Sequence, residues 1–176
     1  MPARFDPEKL TLDLAVADLL DTQLLRHIGF GNRGGYERLW LGQAIHSEYQ
    51  ESALAGDATY KRELGVLLAL EHRGWTVRLH GRIDGLRREP DGGLVVEEIK
   101  SVRRGGQLAP AVREIYERQA VLYAWIMRQL TGEPVAAELV LIEIGGGAVE
   151  RERLSADYAG LEAGVRRRLN SLLHAF

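Results

Sequence analysis

Apolar positions along this 176-residue chain recur at two different spacings, and the change from one to the other divides it into elements. Helical spacing runs through Leu19, Leu20, Gln23, Leu24 and His27, predicting a helix over about Lys9 to His27. A second helix is predicted from near Glu37 or Arg38 past Tyr49, with Leu41, Ile45, Glu48 and Tyr49 along one side. A third is predicted over about Ala58 to Arg73, carrying Leu64, Leu67, Leu68 and Glu71 on one face. Shorter apolar runs then read as strands over Thr76–His80, Arg82–Arg87 and Leu94–Lys100, with the strong turn residues Pro90-Asp91-Gly92-Gly93 making the last two a hairpin. Helical spacing returns in Ile115, Tyr116, Leu122, Tyr123, Ile126 and Leu130, and Pro110 suits the first turn of that helix. Strands over Glu138–Ile144 and Ala148–Leu154 flank the turn Gly145-Gly146-Gly147, and a last helix is predicted over Ala156 to His174. This order gives an α/β protein with a mixed central β-sheet flanked by helices.

Composition narrows the class. With 45% hydrophobic residues and no linker, repeat or low-complexity stretch, the chain reads as a single domain over residues 1–176. No apolar run reaches about 18 residues, and Asp6, Glu8 and Asp13 do not suit a secretion signal, so no membrane partner and a cytoplasmic location are expected. Zero cysteines exclude disulfides and cysteine-ligated zinc or iron–sulfur sites. A formal charge of −2 argues against a protein that coats DNA, but it leaves room for acids gathered at one place and arginines at another.

The chemistry-bearing stretch is Gly81 to Ser101, in which an aspartate, a tight turn and a Glu-x-Lys triplet follow one another. Side chains alternate along a strand, so Val96, Glu98 and Lys100 share one face while Val95, Glu97 and Ile99 take the other. Asp84 on the partner strand can complete a cluster of two acids and one base. Phosphodiester cleavage needs such a set. A hard cation screens the phosphate, held by one or two carboxylates plus waters, and a lysine orients the attacking water or takes its proton. The alternative is a surface hairpin whose glutamate and lysine make an ordinary ion pair.

G-R-I-D-G, a hairpin and V-V-E-E-I-K-S together resemble the core of the PD-(D/E)XK nuclease superfamily, with Asp84 in the place of its D and Glu98-Ile99-Lys100 as its E-x-K. His46 upstream and the Q-x-x-x-Y motif Gln119 to Tyr123 downstream resemble the RecB-like branch. The wording E-E-I-K is also similar to the nuclease region ahead of some DinG-type helicases. The resemblance implies a restriction-endonuclease-like αβββαβ core in which His46, Asp84, Glu98 and the Ile99 carbonyl hold metal and Lys100 is catalytic, with Gln119 and Tyr123 in the catalytic set. Two carboxylates and an imidazole suit Mg²⁺ or Mn²⁺. Several RecB-like nucleases carry a four-cysteine iron–sulfur cluster, and this chain would be of the cluster-free kind.

The flanking residues admit plainer roles as well. Gln119 and Tyr123, at i and i+4, look from one helical face toward the sheet, either as site residues or as a core amide and phenol. Gly42, one turn before His46, clears space above the imidazole, which is otherwise a half-buried surface histidine. Glu63 is a further acid near the metal or a solvated helix residue. Glu97 points away from the cluster and is left to an arginine. Arg103 and Arg104, just after Lys100, are placed to touch phosphate, with Arg113 and Arg118 on the next helix as helpers. Gly29-x-Gly31-x-x-Gly34 spells a dinucleotide fingerprint but lacks its preceding strand. The function expected is a metal-dependent DNA nuclease acting on single-stranded or end-bearing DNA in repair or recombination, with a helicase as a partner in cis or trans. The competing reading is a non-catalytic module that binds nucleic acid or docks on a helicase.

Overall fold

A computed structural model of the chain describes residues 3–20, 35–103, 105 and 108–174, with residues 35–40 described for their backbone alone. The strands are β1 (Arg4–Asp6), β2 (Thr11–Ala15), β3 (Lys61–His72), β4 (Trp75–Arg88), β5 (Leu94–Val102), β6 (Val135–Glu143) and β7 (Val149–Leu154). The helices are α1 (Gly35–Gly56), α2 (Pro110–Thr131) and α3 (Tyr158–Leu173), and a 3₁₀ turn occupies Val16–Leu19. From α1 to β6 the order is αβββαβ. The sheet runs β1-β2-β4-β5-β6-β7, with β3 paired to β4. β2 with β4 and β5 with β6 are parallel and the other pairs antiparallel, so the sheet is mixed as expected.

Two predicted helices are not helices. Over the described part of Lys9–His27 the chain forms β2 and the 3₁₀ turn, because Leu12, Leu14 and Val16 bury alternate positions, a strand period. The remainder of that segment, like the glycine fingerprint after it, lies outside the described residues. Ala58–Arg73 is largely β3, not a helix. Its leucines fit both periods, and the long partner decides: Lys61 to His72 pair with Leu86 down to Trp75 across a two-residue turn, Arg73-Gly74, in which both φ angles are positive. Thr76–His80 and Arg82–Arg87 are one continuous strand, β4. The β4–β5 and β6–β7 hairpins, α2 and α3 stand where the pattern put them. α2 begins at Pro110 and ends on Gly132 at φ 70°, a left-handed cap.

The main core lies on the α2 side of the sheet, where Leu12, Leu79, Ile83, Val96, Leu122, Ile126 and Leu169 are buried. α1 covers the opposite face of β5 and β6 through Ile45 and Tyr49, which pack on Ile99, Val140 and Ile142. Glu97 faces α1 and is 1% exposed. Tyr60 Oη donates to its Oε2 at 2.9 Å, Tyr49 Oη lies 3.2 Å from both oxygens, and Arg87 Nε pairs with Oε1 at 3.1 Å. The expected arginine partner is therefore Arg87. This buried charge ties α1, β4 and β5 together. Among the described residues no helix is long and apolar enough to cross a membrane.

Gly85 leaves room for that knot, since a Cβ there would strike Tyr60 Oη and come within 2.8 Å of Glu97 Oε2. Gly85→Ala should destabilise the protein by about 1–3 kcal/mol, the usual cost of overpacking. Tyr60→Phe in the same background should recover part of the loss. Denaturant melts of the two variants and the double variant provide the check.

Candidate active site

β4 shares one of its edges between two strands, and the site forms where it changes partner. β2 pairs with Thr76–His80 and β5 with Gly85–Arg88, leaving Gly81–Asp84 without a strand neighbour on that side. The exposed backbone groups find side chains instead. Arg82 N donates to Tyr123 Oη at 3.1 Å, and Ile99 N, on the stretch of β5 that has left β4, donates to Asp84 Oδ2 at 2.8 Å. Tyr123 presses so closely on β4 that a Cβ at Gly81 would lie 2.6 Å from its ring. Side-chain alternation also slips here: Val77, Leu79 and Ile83 enter the main core, and so does Leu86. Asp84 and Gly85 thus both turn to the α1 side. The β3 residue across from Asp84 is Glu63, whose φ of 49° is unusual for a residue with a side chain.

Glu98 and Lys100 project on the α2 side of the notch. Glu98 is 1% exposed, and its Oε1 lies 2.5 Å from Lys100 Nζ. That approach lacks hydrogen-bond angles, so Oε1 is a buried carboxylate oxygen with no hydrogen-bond partner among the described residues. Glu138 Oε1 is in the same position, but its carboxylate lies between Arg87 and Arg153. Burial pushes the Glu98 carboxyl up to about 7, Lys100 lowers it in part, and the Asp84 and Glu63 carboxylates add to the rise. Burial disfavours the Lys100 ammonium, yet Glu98 and Asp84 outweigh it and raise the group above its ordinary value. Its Nζ also lies 4.9 Å from the Tyr116 ring centroid.

His46 lines a space of about 620 Å³ between α1, β3 and β4, together with Gln50, Glu63, Arg82 and Asp84. Burial lowers its imidazole; the Asp84 carboxylate raises it and Lys100 lowers it further. Gln50, one turn after His46, donates to Glu63 Oε1 at 2.9 Å and to the Asp84 carbonyl at 2.8 Å. Arg82 Nε pairs with Glu63 Oε2 at 2.7 Å.

Asp84, Glu98, Ile99, Lys100, Tyr123 and His46 are therefore brought to one place. Gln119 is half-buried on α2 and makes no hydrogen bond with a described residue. Arg103 is exposed just beyond β5, and Arg104 lies outside the described residues. Arg113 pairs with Glu117 at 2.9 Å and with Glu152, and Arg118 with Glu114 at 2.5 Å. Gly42 does not clear space above His46: a Cβ there would meet Ser101 Oγ at 3.3 Å, so the glycine lets α1 approach β5. Gln50, Glu63 and Arg82 were not singled out as a set. Gln50 was legible as i+4 from His46, but Glu63 joins the cavity only because its segment is a strand.

A family model for the PD-(D/E)XK nuclease superfamily matches residues 4–175. The chain belongs to the PD-(D/E)XK nuclease superfamily. Among solved structures, SSO0001 is similar with a TM-score of 0.56 at 20% identity over 94% of this chain and 78% of that one, a likeness of fold. A Eubacterium rectale protein provisionally described as an exonuclease aligns over 73% of this chain and 52% of its own, at 16% identity and a TM-score of 0.47. No curated protein matches the sequence.

PD-(D/E)XK nucleases typically use divalent metal ions. Among the described residues no three imidazole or carboxylate groups converge closely enough to enclose an ion. The donors present still fit a hard cation, which takes one or two carboxylates and completes its shell with water and substrate. Glu98 Oε1 is buried without a hydrogen-bond partner, and Asp84 uses only Oδ2 to hold Ile99 N.

The Glu98 environment sets a pH signature. Its folded pKa lies above the ordinary carboxylate value, so the folded chain holds this proton more tightly than the unfolded one. The resulting stabilisation is full below the unfolded pKa and declines as pH rises toward about 7. Melting temperatures of metal-free protein between pH 4.5 and 7.5 should include that fall, and Glu98→Gln should flatten it.

Proposed function

We propose that the chain, acting as one unit over residues 1–176, is a Mg²⁺- or Mn²⁺-dependent DNA nuclease of the RecB-like branch. Its substrate is single-stranded or end-bearing DNA, met in the cytoplasm during repair or recombination, and a helicase in cis or trans supplies such strands, as for the similar region ahead of DinG-type helicases. The observation that carries this reading is the fully buried Glu98 carboxylate, ion-paired with Lys100 and with its pKa raised further by the nearby Asp84 carboxylate.

Asp84, Glu98, the Ile99 carbonyl and His46 are the residues that would hold the cation. A bound divalent ion would screen the scissile phosphate and stabilise charge as the phosphodiester opens. Asp84 has a second task, fixing the parted edge of β5 through Ile99 N. Lys100 starts as an ammonium and orients the attacking water. When the charge of Glu98 and Asp84 is compensated, burial remains as the main influence on Lys100 and lowers its pKa, so that it would release a proton to solvent and, as the free amine, take one from the attacking water. Tyr123 holds Arg82 N and keeps β4 in place behind the carboxylates. His46, kept neutral by burial, offers a nitrogen lone pair, which favours Mn²⁺ over Mg²⁺. Gln119 extends the Tyr123 face, and Arg103, Arg104, Arg113 and Arg118 are the arginines through which phosphate would be held beside the cut.

Cleavage of labelled single-stranded DNA should stop in excess EDTA and return with Mn²⁺ or Mg²⁺. Cleavage undiminished by the chelator would end the metal-nuclease reading. Lys100→Ala should slow single-turnover cleavage by about 10² or more, the scale of lost acid–base catalysis, while calorimetry still detects metal. A normal rate in that variant would reduce Lys100 to an ion-pair partner.

A further inference from the structure

Leading out of the cavity is a line of basic side chains that neither the metal set nor the loop arginines use. Arg78, His80 and Arg82 occupy alternate positions of β4, on the face of Asp84, with side chains 45%, 52% and 71% exposed. Successive members are about 6.6–6.8 Å apart along a strand, and the line reaches about 20 Å from Asp84. Asp13 on β2 accepts from Arg78 Nη2 at 2.7 Å and lies 3.1 Å from His80 Nε2. At 24% exposure Asp13 is less exposed than either partner. Arg82 is likewise paired, its Nε lying 2.7 Å from Glu63 Oε2, and it remains more exposed than that glutamate. Arg82 lines the cavity beside Asp84, which joins the line to the site.

Among the described residues, the ground beside these side chains is lightly covered. Their β3 partners are Ala69, Leu67 and Gly65. Leu67 is 50% exposed, and a Cβ on Gly65 would meet nothing within 4 Å. Among the described residues, α1 meets β3 at its start, where Gln50 and Glu51 contact Glu63 and Arg62. A long strand of the sheet thus carries a row of basic side chains, with Arg78 and Arg82 each paired to a less exposed acid and the β3 partners small or apolar, running into the acidic notch.

We infer that this face of β4 is the track on which a single-stranded nucleic acid lies as it enters the site: Arg78, His80 and Arg82 take successive phosphates and Leu67 with its small neighbours takes the bases. The assignment rests on the nuclease reading and names the path of its substrate. One row of cations suits one anionic backbone, whereas a duplex presents two and hides its bases. Phosphate contacts of this kind position a strand without reading its sequence.

The test is fluorescence anisotropy of labelled single-stranded DNA with the full chain in EDTA, across a salt series, so that binding is read without turnover. Arg78→Ala/Arg82→Ala should lower affinity and reduce the salt slope by about 0.7 for each lost phosphate contact, about 1.4 in all. Between 50 and 200 mM salt the wild type should then lose about sevenfold more affinity than the double variant. Arg78→Lys/Arg82→Lys, which keeps the charge, should retain the slope, and Arg167→Ala on α3 should leave it unchanged. A folded alanine variant with the wild-type slope overturns the track, as does a lysine variant that loses slope as the alanine variant does. Equal or larger slope loss on duplex DNA overturns the single-strand assignment. Because no cleavage is measured, failure here leaves the nuclease reading standing, and a protein that binds along β4 but never cuts would refute that reading alone.

Discussion

The structure depends on one hydrogen bond made by a side chain where a strand would have made its own. β4 cannot be paired along a whole edge by β2 and β5 together, because one strand ends at His80 and the other begins at Gly85. A buried backbone N–H without an acceptor would cost about 1–3 kcal/mol. The Asp84 carboxylate removes that cost at Ile99 N and so makes the parting of β4 and β5 a stable shape. Had the two strands stayed paired, their side chains would have closed over each other. Because they part, Asp84 opens onto the cavity on the α1 side while Glu98 and Lys100 stand on the α2 side of the same notch.

Adjacent glutamates on β5 are buried by opposite means. Glu97 faces two phenols and an arginine, and its charge is matched from three elements, so it serves as an anchor. Glu98 has one ammonium beside it and a carboxyl that burial pushes up to about 7. A single ion pair does not repay the desolvation of a fully buried carboxylate. The anchor tolerates no change of occupancy, whereas the under-compensated neighbour gains from any further positive charge brought beside it. Strand alternation alone separates a structural acid from a reactive one, a single residue apart.

That alternation is why the centre of the site was legible in the sequence while its surroundings were not. Glu98, Lys100 and the opposing direction of Glu97 follow from a local period of two, and the turn at Pro90–Gly93 fixes the hairpin that brings Asp84 near. α2 was legible from Pro110 to its apolar stripe. The two failures, Lys9–His27 over its described part and Ala58–Arg73, are leucine-rich segments in which helical and strand spacings coincide. There the decision is made by distant partners, β4 in both cases. Gln50, Glu63 and Arg82 became neighbours only through that decision. Gly42 shows the converse: a glycine on the expected face proved to serve helix packing against Ser101, because the approach of α1 to β5 is a tertiary fact.

The same asymmetry accounts for a nuclease fold in a chain of net charge −2. Many arginines here are consumed locally: Arg87 and Arg153 by buried or half-buried glutamates, Arg113, Arg118 and Arg166 by partners four residues away on their helices. Such pairs contribute little field beyond their own surroundings, because screening in salt water cancels them within about 10 Å. What a polyanion meets is the residue that remains after pairing. On β4, Arg78 and Arg82 are more exposed than Asp13 and Glu63, the acids that pair with them, and the acids of the notch lie behind, where a cation would be needed in any case. Electrostatic guidance then comes from the order of charges along one strand, positive outside and negative within, and the total charge of the chain says nothing about it.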